Sequence, residues 1–162
     1  MLFRSQDVAL TTFFVIEYER QGDTGLARPV WVRRVTAVTD QVAWDNEDFV
    51  KAVKATGHKQ IIIAGVVTDV CVAFPTLSAL AEGFEVFVVT DASGTFNTTV
   101  QQAAWSRMTQ AGAQLMNWFS VACELQGDWR NDMEGLGNLL SQRIPNYRNL
   151  MNGYAAVTAR QG

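Results

Sequence analysis

The sequence is poor in the residues that mark several large classes of protein. It has two cysteines, three prolines and one histidine in 162 residues. Two cysteines are too few for a disulfide framework, and neither Cys71 nor Cys123 has a second cysteine or a histidine at the spacing of a zinc site. We therefore expect no metal, no cofactor and a reducing, cytoplasmic environment.

Long apolar runs and a surplus of basic residues are also missing. A run such as Ile61 to Val67 is far shorter than the roughly 18 residues that a membrane-spanning helix needs. Asp7 interrupts the N-terminus before an apolar leader can form. Thirteen basic and sixteen acidic residues give a net charge of −3, so a basic surface for nucleic acid is not indicated. The expected partner is a small molecule.

The composition is that of a folded domain. Hydrophobic residues make up 48% of the chain and charged residues 18%, which is typical of a globular protein and not of a disordered one. The length favours one domain over residues 1–162. Within it we distinguish a divergent N-terminal part (1–43), a core (44–127) and a helical tail (128–162).

Strands and helices alternate in the core. Short apolar, β-branched segments predict buried strands, and amphipathic segments that end at glycines such as Gly57 and Gly83 predict helices. The alternation predicts an α/β fold with a parallel sheet and helices on both faces. The predicted helices cover about 46–56, 70–82 and 98–111, and the strands 60–65, 85–90 and 113–116.

The N-terminal part and the tail are less regular. Segments 9–18 and 30–38 are rich in strand-forming residues, with no confident helix between them. In the tail, two apolar stripes at helical spacing lie on either side of Pro145. Both stripes pack on the chain's own sheet, or one of them forms a subunit interface; the first arrangement is slightly favoured.

Cys71 occupies a turn between a predicted strand and the next helix. Ligands bind beyond the carboxyl ends of strands in open α/β sheets, and the N–H groups at a helix start stabilise a thiolate or an oxyanion. Pro75 has no N–H, so the helix should loosen beside the thiol. A small buried cysteine is the alternative interpretation, and Cys123 is interpreted as structural.

Three other polar residues have structural interpretations. Asp69 adjoins Cys71 and is expected to support the turn. Asp91 ends a predicted strand and is expected to serve turn geometry. His58 lies in a loop after a glycine, so a Cys–His pair is not indicated.

The segment GVVTDVCV, followed by AFPTLSALAEGFEVFVVTDASGTFN, resembles the isochorismatase-like cysteine hydrolases, and most of all their YcaC-type branch. The likeness covers about Trp44 to Tyr154. It implies a three-layer α/β/α fold around a mainly parallel sheet, and a triad of cysteine, aspartate and a basic residue. It also implies that Cys71 is the nucleophile, that the Val66–Val67 peptide is cis, and that the N–H groups of Val67 and Cys71 form the oxyanion hole.

The resemblance places the acidic and basic partners in the N-terminal part. There Glu17 takes the aspartate position if segment 13–17 is the family's first strand. Alternatively, segment 9–12 matches a later strand and the aspartate is missing, which we favour. Arg28 matches the basic motif, with Arg33 and Arg34 as further candidates. The 43 residues before Trp44 are too few for the family's full set of strands, since one βαβ unit takes about 30. We therefore expect an incomplete sheet there.

These features support three hypotheses about function. The first is hydrolysis of a small amide or related C–N bond through a Cys71 acyl-enzyme, with a carboxylate taking the thiol proton. The second is a catalytically inactive, truncated relative that acts as an oligomeric interaction protein. The third is a redox-responsive thiol protein. A homo-oligomer is expected because a shortened sheet leaves edges and apolar surface uncovered.

Overall fold

A computed structural model describes residues 11–20, 27–37 and 43–160, and in the first two ranges the backbone alone. The chain forms two compact units that divide between Leu125 and Gln126. The first unit contains β1 (Thr11–Arg20), β2 (Ala27–Ala37), α1 (Glu47–Lys54), β3 (Gln60–Ile63), α2 (Ala73–Ala81), β4 (Glu85–Val89), α3 (Thr98–Gln110), β5 (Gln114–Met116) and most of α4 (Trp118–Gln126). The second contains α5 (Met133–Arg143) and α6 (Pro145–Thr158).

The strands form one five-stranded sheet in the order β2-β1-β3-β4-β5. β3, β4 and β5 are parallel, whereas β1 is antiparallel to both of its neighbours. The two antiparallel pairings depart from a uniformly parallel sheet. Residues 21–26 between β1 and β2 are too few for a parallel crossover, which needs about a dozen. The predicted α/β fold is confirmed, with an antiparallel hairpin at its N-terminal side.

Alternate residues of β3 pack on opposite faces of the sheet, as the two-residue period of a strand requires. Ile61 and Ile63 belong to the larger core, together with buried residues of α1, α2 and α3. Ile62 belongs to a second cluster, packed with Trp118 and Val121 of α4. Apolar side chains thus cover both faces of β3, which explains why its sequence is continuously hydrophobic. The first unit has the expected α/β/α layers.

Local signals account for the helix boundaries. α1 begins at residue 47 because the Asn46 side chain caps it, accepting a hydrogen bond from the Phe49 N–H at 2.8 Å. Asn97 caps α3 in the same way through the Val100 N–H at 3.0 Å. The chain turns after α1 at Gly57, where φ is +77°. A residue with a Cβ is strained in that conformation.

The predicted 70–82 helix is divided into two parts. Residues Thr68–Val72 form a π-helical turn, hereafter the π-turn, and α2 follows it. The Val72 N–H donates to the Val67 carbonyl, five residues back, at 3.2 Å. Pro75 is the third residue of α2, where its missing N–H is tolerated. The loosening expected beside Cys71 is therefore present, ahead of the proline.

The tail consists of two helices separated by Ile144, and Pro145 is the first residue of α6. Most members of the two predicted stripes are exposed. In α5, Leu140 is buried, but Met133 and Leu139 are exposed. The stripe residues Leu150, Met151 and Tyr154 of α6 are exposed as well. α4, which the sequence pattern did not predict, is short and has a single charged residue, Glu124.

The central strand supports a stability test. Ile63 is 0% exposed, so Ile63→Ala should lower the free energy of unfolding by about 3 kcal/mol and Ile63→Val by about 1 kcal/mol. Urea unfolding followed by circular dichroism measures both. Leu115→Ala, at a position in β5 that is 38% exposed, is the matched control and should cost less than Ile63→Ala. Equal losses for these two alanine variants would contradict the burial assigned to β3.

Candidate active site at the carboxyl edge of the sheet

The carboxyl ends of β3, β4 and β5 lie at one edge of the sheet, because the three strands are parallel. The segments that follow β3 and β4 stay paired beyond the strands through a bridge between Val66 and Gly94. The π-turn begins two residues after Val66. It places Cys71 at the edge where open α/β sheets bind their ligands.

The π-turn starts at an unusual backbone feature. The peptide bond between Val66 and Val67 is cis, the same bond that the family resemblance indicates. The Val67 carbonyl then accepts from the N–H groups of Val70 at 3.3 Å and Val72 at 3.2 Å. Cys71 lies within this turn and is half-buried. The oxyanion role of the Val67 and Cys71 N–H groups stays a prediction.

Backbone and hydroxyl groups tie the π-turn to the segment after β4. The Thr68 N–H donates to the Gly94 carbonyl at 2.8 Å, and the Thr68 hydroxyl donates to the same oxygen at 3.0 Å. The Gly94 N–H donates in turn to the Gly65 carbonyl at 3.1 Å. Thr68 is fully buried, so water does not compete for these bonds.

Two further side chains strengthen this connection. The Ser93 hydroxyl donates to the Val89 carbonyl at 2.7 Å and accepts from the Gly65 N–H at 3.3 Å. The Thr95 hydroxyl donates to Asp69 Oδ1 at 2.6 Å. The supporting role expected for Asp69 is confirmed. The sequence offered one signal for Ser93 and Thr95, because both lie in the polar segment directly after a predicted strand.

Asp91 has a different partner at the same edge. Its Oδ1 accepts from the backbone N–H of Trp118 at 2.7 Å, the first residue of α4. A carboxylate at that position satisfies an unpaired N–H and favours the helix dipole. Asp91 therefore has a structural partner, although this partner is a distant helix and not the turn that the sequence analysis expected.

The register of β1 separates Glu17 from Cys71. Phe14 lies opposite Ile62 in an antiparallel pairing, so each residue from Phe14 toward Glu17 moves toward the amino end of β3. Cys71 follows the carboxyl end of β3. The catalytic role predicted for Glu17 therefore has no support from the backbone register.

The basic candidates lie in β2. Arg28 is paired with Glu19, farther still toward the amino end of β3, so the backbone does not bring it to Cys71 either. Arg33 lies opposite Val15 and Arg34 opposite Phe14, nearer the middle of the strands. Only the backbone of these residues is described, and their catalytic roles stay predictions.

A cavity of about 390 Å³ lies at the opposite edge, and its walls include Lys54, His58 and Glu82. Hydrogen bonds from the Lys54 ammonium and the Trp44 indole hold the pKa of the Glu82 carboxyl below its usual value. The walls of this cavity border the amino ends of β3 and β4. The π-turn that contains Cys71 lies beyond the carboxyl end of β3. The cavity is therefore separate from the candidate active site.

Among residues 43–160, whose side chains the structure describes, no group of three His, Cys, Asp or Glu is placed to hold a metal ion. No helix within the described ranges 11–20, 27–37 and 43–160 has the length and apolar character needed to cross a membrane.

Comparison with known proteins gives a consistent family. The isochorismatase domain pattern matches residues 35–119. The chain is 71% identical over 119 residues to the Escherichia coli protein named probable hydrolase YcaC, covering 74% of this chain and 57% of that one. It is 32% identical over 72 residues to nicotinamidase 3 of Arabidopsis thaliana, covering 44% of this chain and 36% of the relative.

Solved structures of YcaC proteins share the fold. YcaC of Pseudomonas aeruginosa, determined with hexane-2,5-diol and covalent acrylamide, has a TM-score of 0.69 and 72% identity over 73% of this chain and 58% of that one. YcaC of Escherichia coli, described as an octameric hydrolase of unknown specificity, has a TM-score of 0.70 and 68% identity over 75% and 59% of the two chains. This chain thus spans less than two thirds of the length of these relatives.

The buried serine at this edge provides a test. Ser93→Ala removes the donor to Val89 and the acceptor for Gly65, so it should lower the free energy of unfolding by about 1–2 kcal/mol. Ser106→Ala is the matched control, because Ser106 is exposed on α3 and surface changes usually stay within about 0.5 kcal/mol. Urea unfolding compares the two variants. Equal stability of both would show that the Ser93 bonds contribute nothing.

Proposed function

The chain belongs to the isochorismatase family, and on that premise we propose that it is a cysteine-dependent hydrolase of small amides or related C–N bonds. The observation that supports this most directly is the position of Cys71. It follows a cis peptide, lies in a π-turn at the carboxyl edge of the sheet, and falls within the matched residues 35–119. That edge is where this fold class binds its ligands.

In the proposed reaction, the Cys71 sulfur attacks the carbonyl carbon of the amide. A bond forms between sulfur and carbon, and the carbonyl oxygen becomes an oxyanion that the N–H groups of Val67 and Cys71 stabilise. The C–N bond then breaks, and the thiol proton leaves on the amine. Water attacks the resulting thioester, releases the acid and restores the thiol.

The proton transfer needs a base. Of the carboxylates described at this edge, Asp69 accepts from the Thr95 hydroxyl and Asp91 from the Trp118 N–H, so both have structural roles. The register of β1 places Glu17 toward the amino end of β3, away from Cys71. The acidic partner therefore stays a prediction from the family, as does the basic role of Arg28.

The relatives support the chemistry. One is named a hydrolase, and another a nicotinamidase, a name that specifies an amide bond. A third was determined with covalent acrylamide, and acrylamide is an electrophile that adds to thiolates. Because these are properties of longer proteins, they support the proposal for this chain without establishing it.

A second candidate function has its own observation in the structure. Neither Glu17 nor Arg28 is brought to the edge that holds Cys71, as expected of an inactive relative that serves as an interaction protein. The redox-responsive thiol remains a further hypothesis, which the structure does not favour over the others.

We also propose that the chain forms homo-oligomers. The related Escherichia coli protein is octameric. Exposed apolar side chains at positions 150, 154 and 157 follow one face of α6. An exposed apolar stripe on a helix marks an association surface.

Substitution of the two cysteines tests the hydrolase proposal. Cys71→Ala should lower the rate of ammonia release from nicotinamide and a panel of small primary amides by about 10³-fold or more, because the nucleophile is lost. Cys123→Ala, which removes an exposed thiol of α4, should retain the activity of the unmodified protein. Equal turnover by Cys71→Ala and the unmodified protein would refute the acyl-enzyme. Absence of turnover from both, with assembly intact, would favour the second candidate.

Charge on α6 tests the assembly. Leu150→Glu and Tyr154→Glu should shift the molar mass measured by light scattering toward that of a single chain, because a charge is costly in an apolar interface. Asn152→Glu adds the same charge at an exposed polar position of α6 and should leave the mass unchanged. A monomeric unmodified protein would contradict the proposal.

A further inference from the structure

The π-turn and the segment after β4 are joined at two consecutive pairs of residues. Thr68 bonds to Gly94, and Asp69 bonds to Thr95. The first pair uses the backbone, and substitution of a side chain removes only part of it. The second pair depends on side chains alone. It can therefore be removed completely while the backbone connection remains.

The Asp69–Thr95 bond joins a carboxylate to a hydroxyl at this edge. Its donor and acceptor are 2.6 Å apart, a distance typical of a hydroxyl bonded to a carboxylate. Both residues are half-buried, so water screens the bond less than it would on the surface. The bond joins positions 26 residues apart in the sequence. The π-turn is thus restrained by the segment after β4 as well as by α2, the helix that follows it.

The restraint acts on the part of the turn that holds the thiol. Asp69 and Cys71 are both within the five-residue π-turn. π-Helical turns are rare and occur mostly as single turns, frequently at functional sites, and this one is bonded to the neighbouring segment through Thr68 and Asp69. A reacting thiol and the N–H groups around it must point to the same place for attack to occur.

We propose that Asp69 and Thr95 are a positioning pair that holds the π-turn so that Cys71 and the N–H groups around it face one point. This inference rests on the proposed function, since it takes Cys71 as the nucleophile. Asp69 acts on the turn and has no contact with substrate in this role. The proposal explains why Asp69, two residues before Cys71, uses its carboxylate to accept from the Thr95 hydroxyl.

The reactivity of the thiol itself tests this inference. The probe is iodoacetamide, and peptide mass spectrometry reports the alkylation rates of Cys71 and Cys123 in the same sample. Cys123 is exposed on α4 and serves as the internal reference. Thr95→Val and Asp69→Ala should each lower the Cys71-to-Cys123 rate ratio at neutral pH by about tenfold, which corresponds to one hydrogen bond with a charged group. Thr95→Ser should restore the ratio.

The matched control is Thr90→Val. The Thr90 hydroxyl donates to the Met116 carbonyl at 2.9 Å, so this variant loses one hydrogen bond in the same segment without touching the π-turn. Its rate ratio should equal that of the unmodified protein, even where its melting temperature falls as much as that of Thr95→Val. The double variant of Asp69→Ala and Thr95→Val should lower the ratio no further than either single variant, because both remove one bond.

Three outcomes would overturn the positioning pair: an unchanged or higher ratio in Thr95→Val, an equal fall in Thr90→Val, or additive losses in the double variant. The alkylation readout needs no turnover, so it is independent of the amide assay. A protein that hydrolyses amides with an unchanged ratio in Thr95→Val refutes the pair alone. A protein without turnover in which the ratio falls as expected refutes the hydrolase and keeps the pair.

Discussion

The arrangement of this edge depends on the pairing of β3 with β4, which continues past the end of both strands. The bridge between Val66 and Gly94 and the two bonds from Thr68 to the Gly94 carbonyl hold the two following segments together. Without that continuation, the π-turn would keep the Asp69–Thr95 bond and the packing of Val72 in the core, but it would lose its backbone connection to the segment after β4. The location of Cys71 is thus a consequence of sheet pairing, and the segment after β4 supplies hydrogen-bond partners for the π-turn that contains it.

The hydrophobic residues of β3 make this pairing possible. Ile61 and Ile63 are buried under helices on one face, and Ile62 is buried beneath α4 on the other. A strand covered on both faces is held firmly, since each apolar side chain is removed from water. Polar side chains lie where β3 and β4 end, and their hydrogen bonds take the place of the backbone bonds between the strands. Asp91, which follows β4, likewise uses its carboxylate to cap α4, the helix that follows β5.

The N-terminal hairpin has the opposite relation to function. It adds β1 antiparallel to β3, so the later residues of β1 lie toward the amino end of β3, and β2 starts at that same end. Glu17 lies in a strand, as the β-rich composition of segment 9–18 indicates, and Arg28 lies in β2 just before the predicted segment 30–38, yet both lie toward the amino end of β3. A suitable residue type within a strand is therefore not sufficient for a catalytic partner. The direction of the strand and the position of the residue along it decide together at which end of the sheet the residue lies.

The sequence alone determined the alternation of strands and helices from α1 to β5, because apolar period, capping residues and glycines are local signals. It also determined the family and the position of Cys71, through a long and nearly continuous likeness. Tertiary structure decided the direction of β1, the division of the 70–82 helix, and the partners of Asp69 and Thr68. The partners of Thr68 and Asp69 are each 26 positions away in the sequence. A local pattern holds no information about such pairs, since they exist only once two strands have met in register.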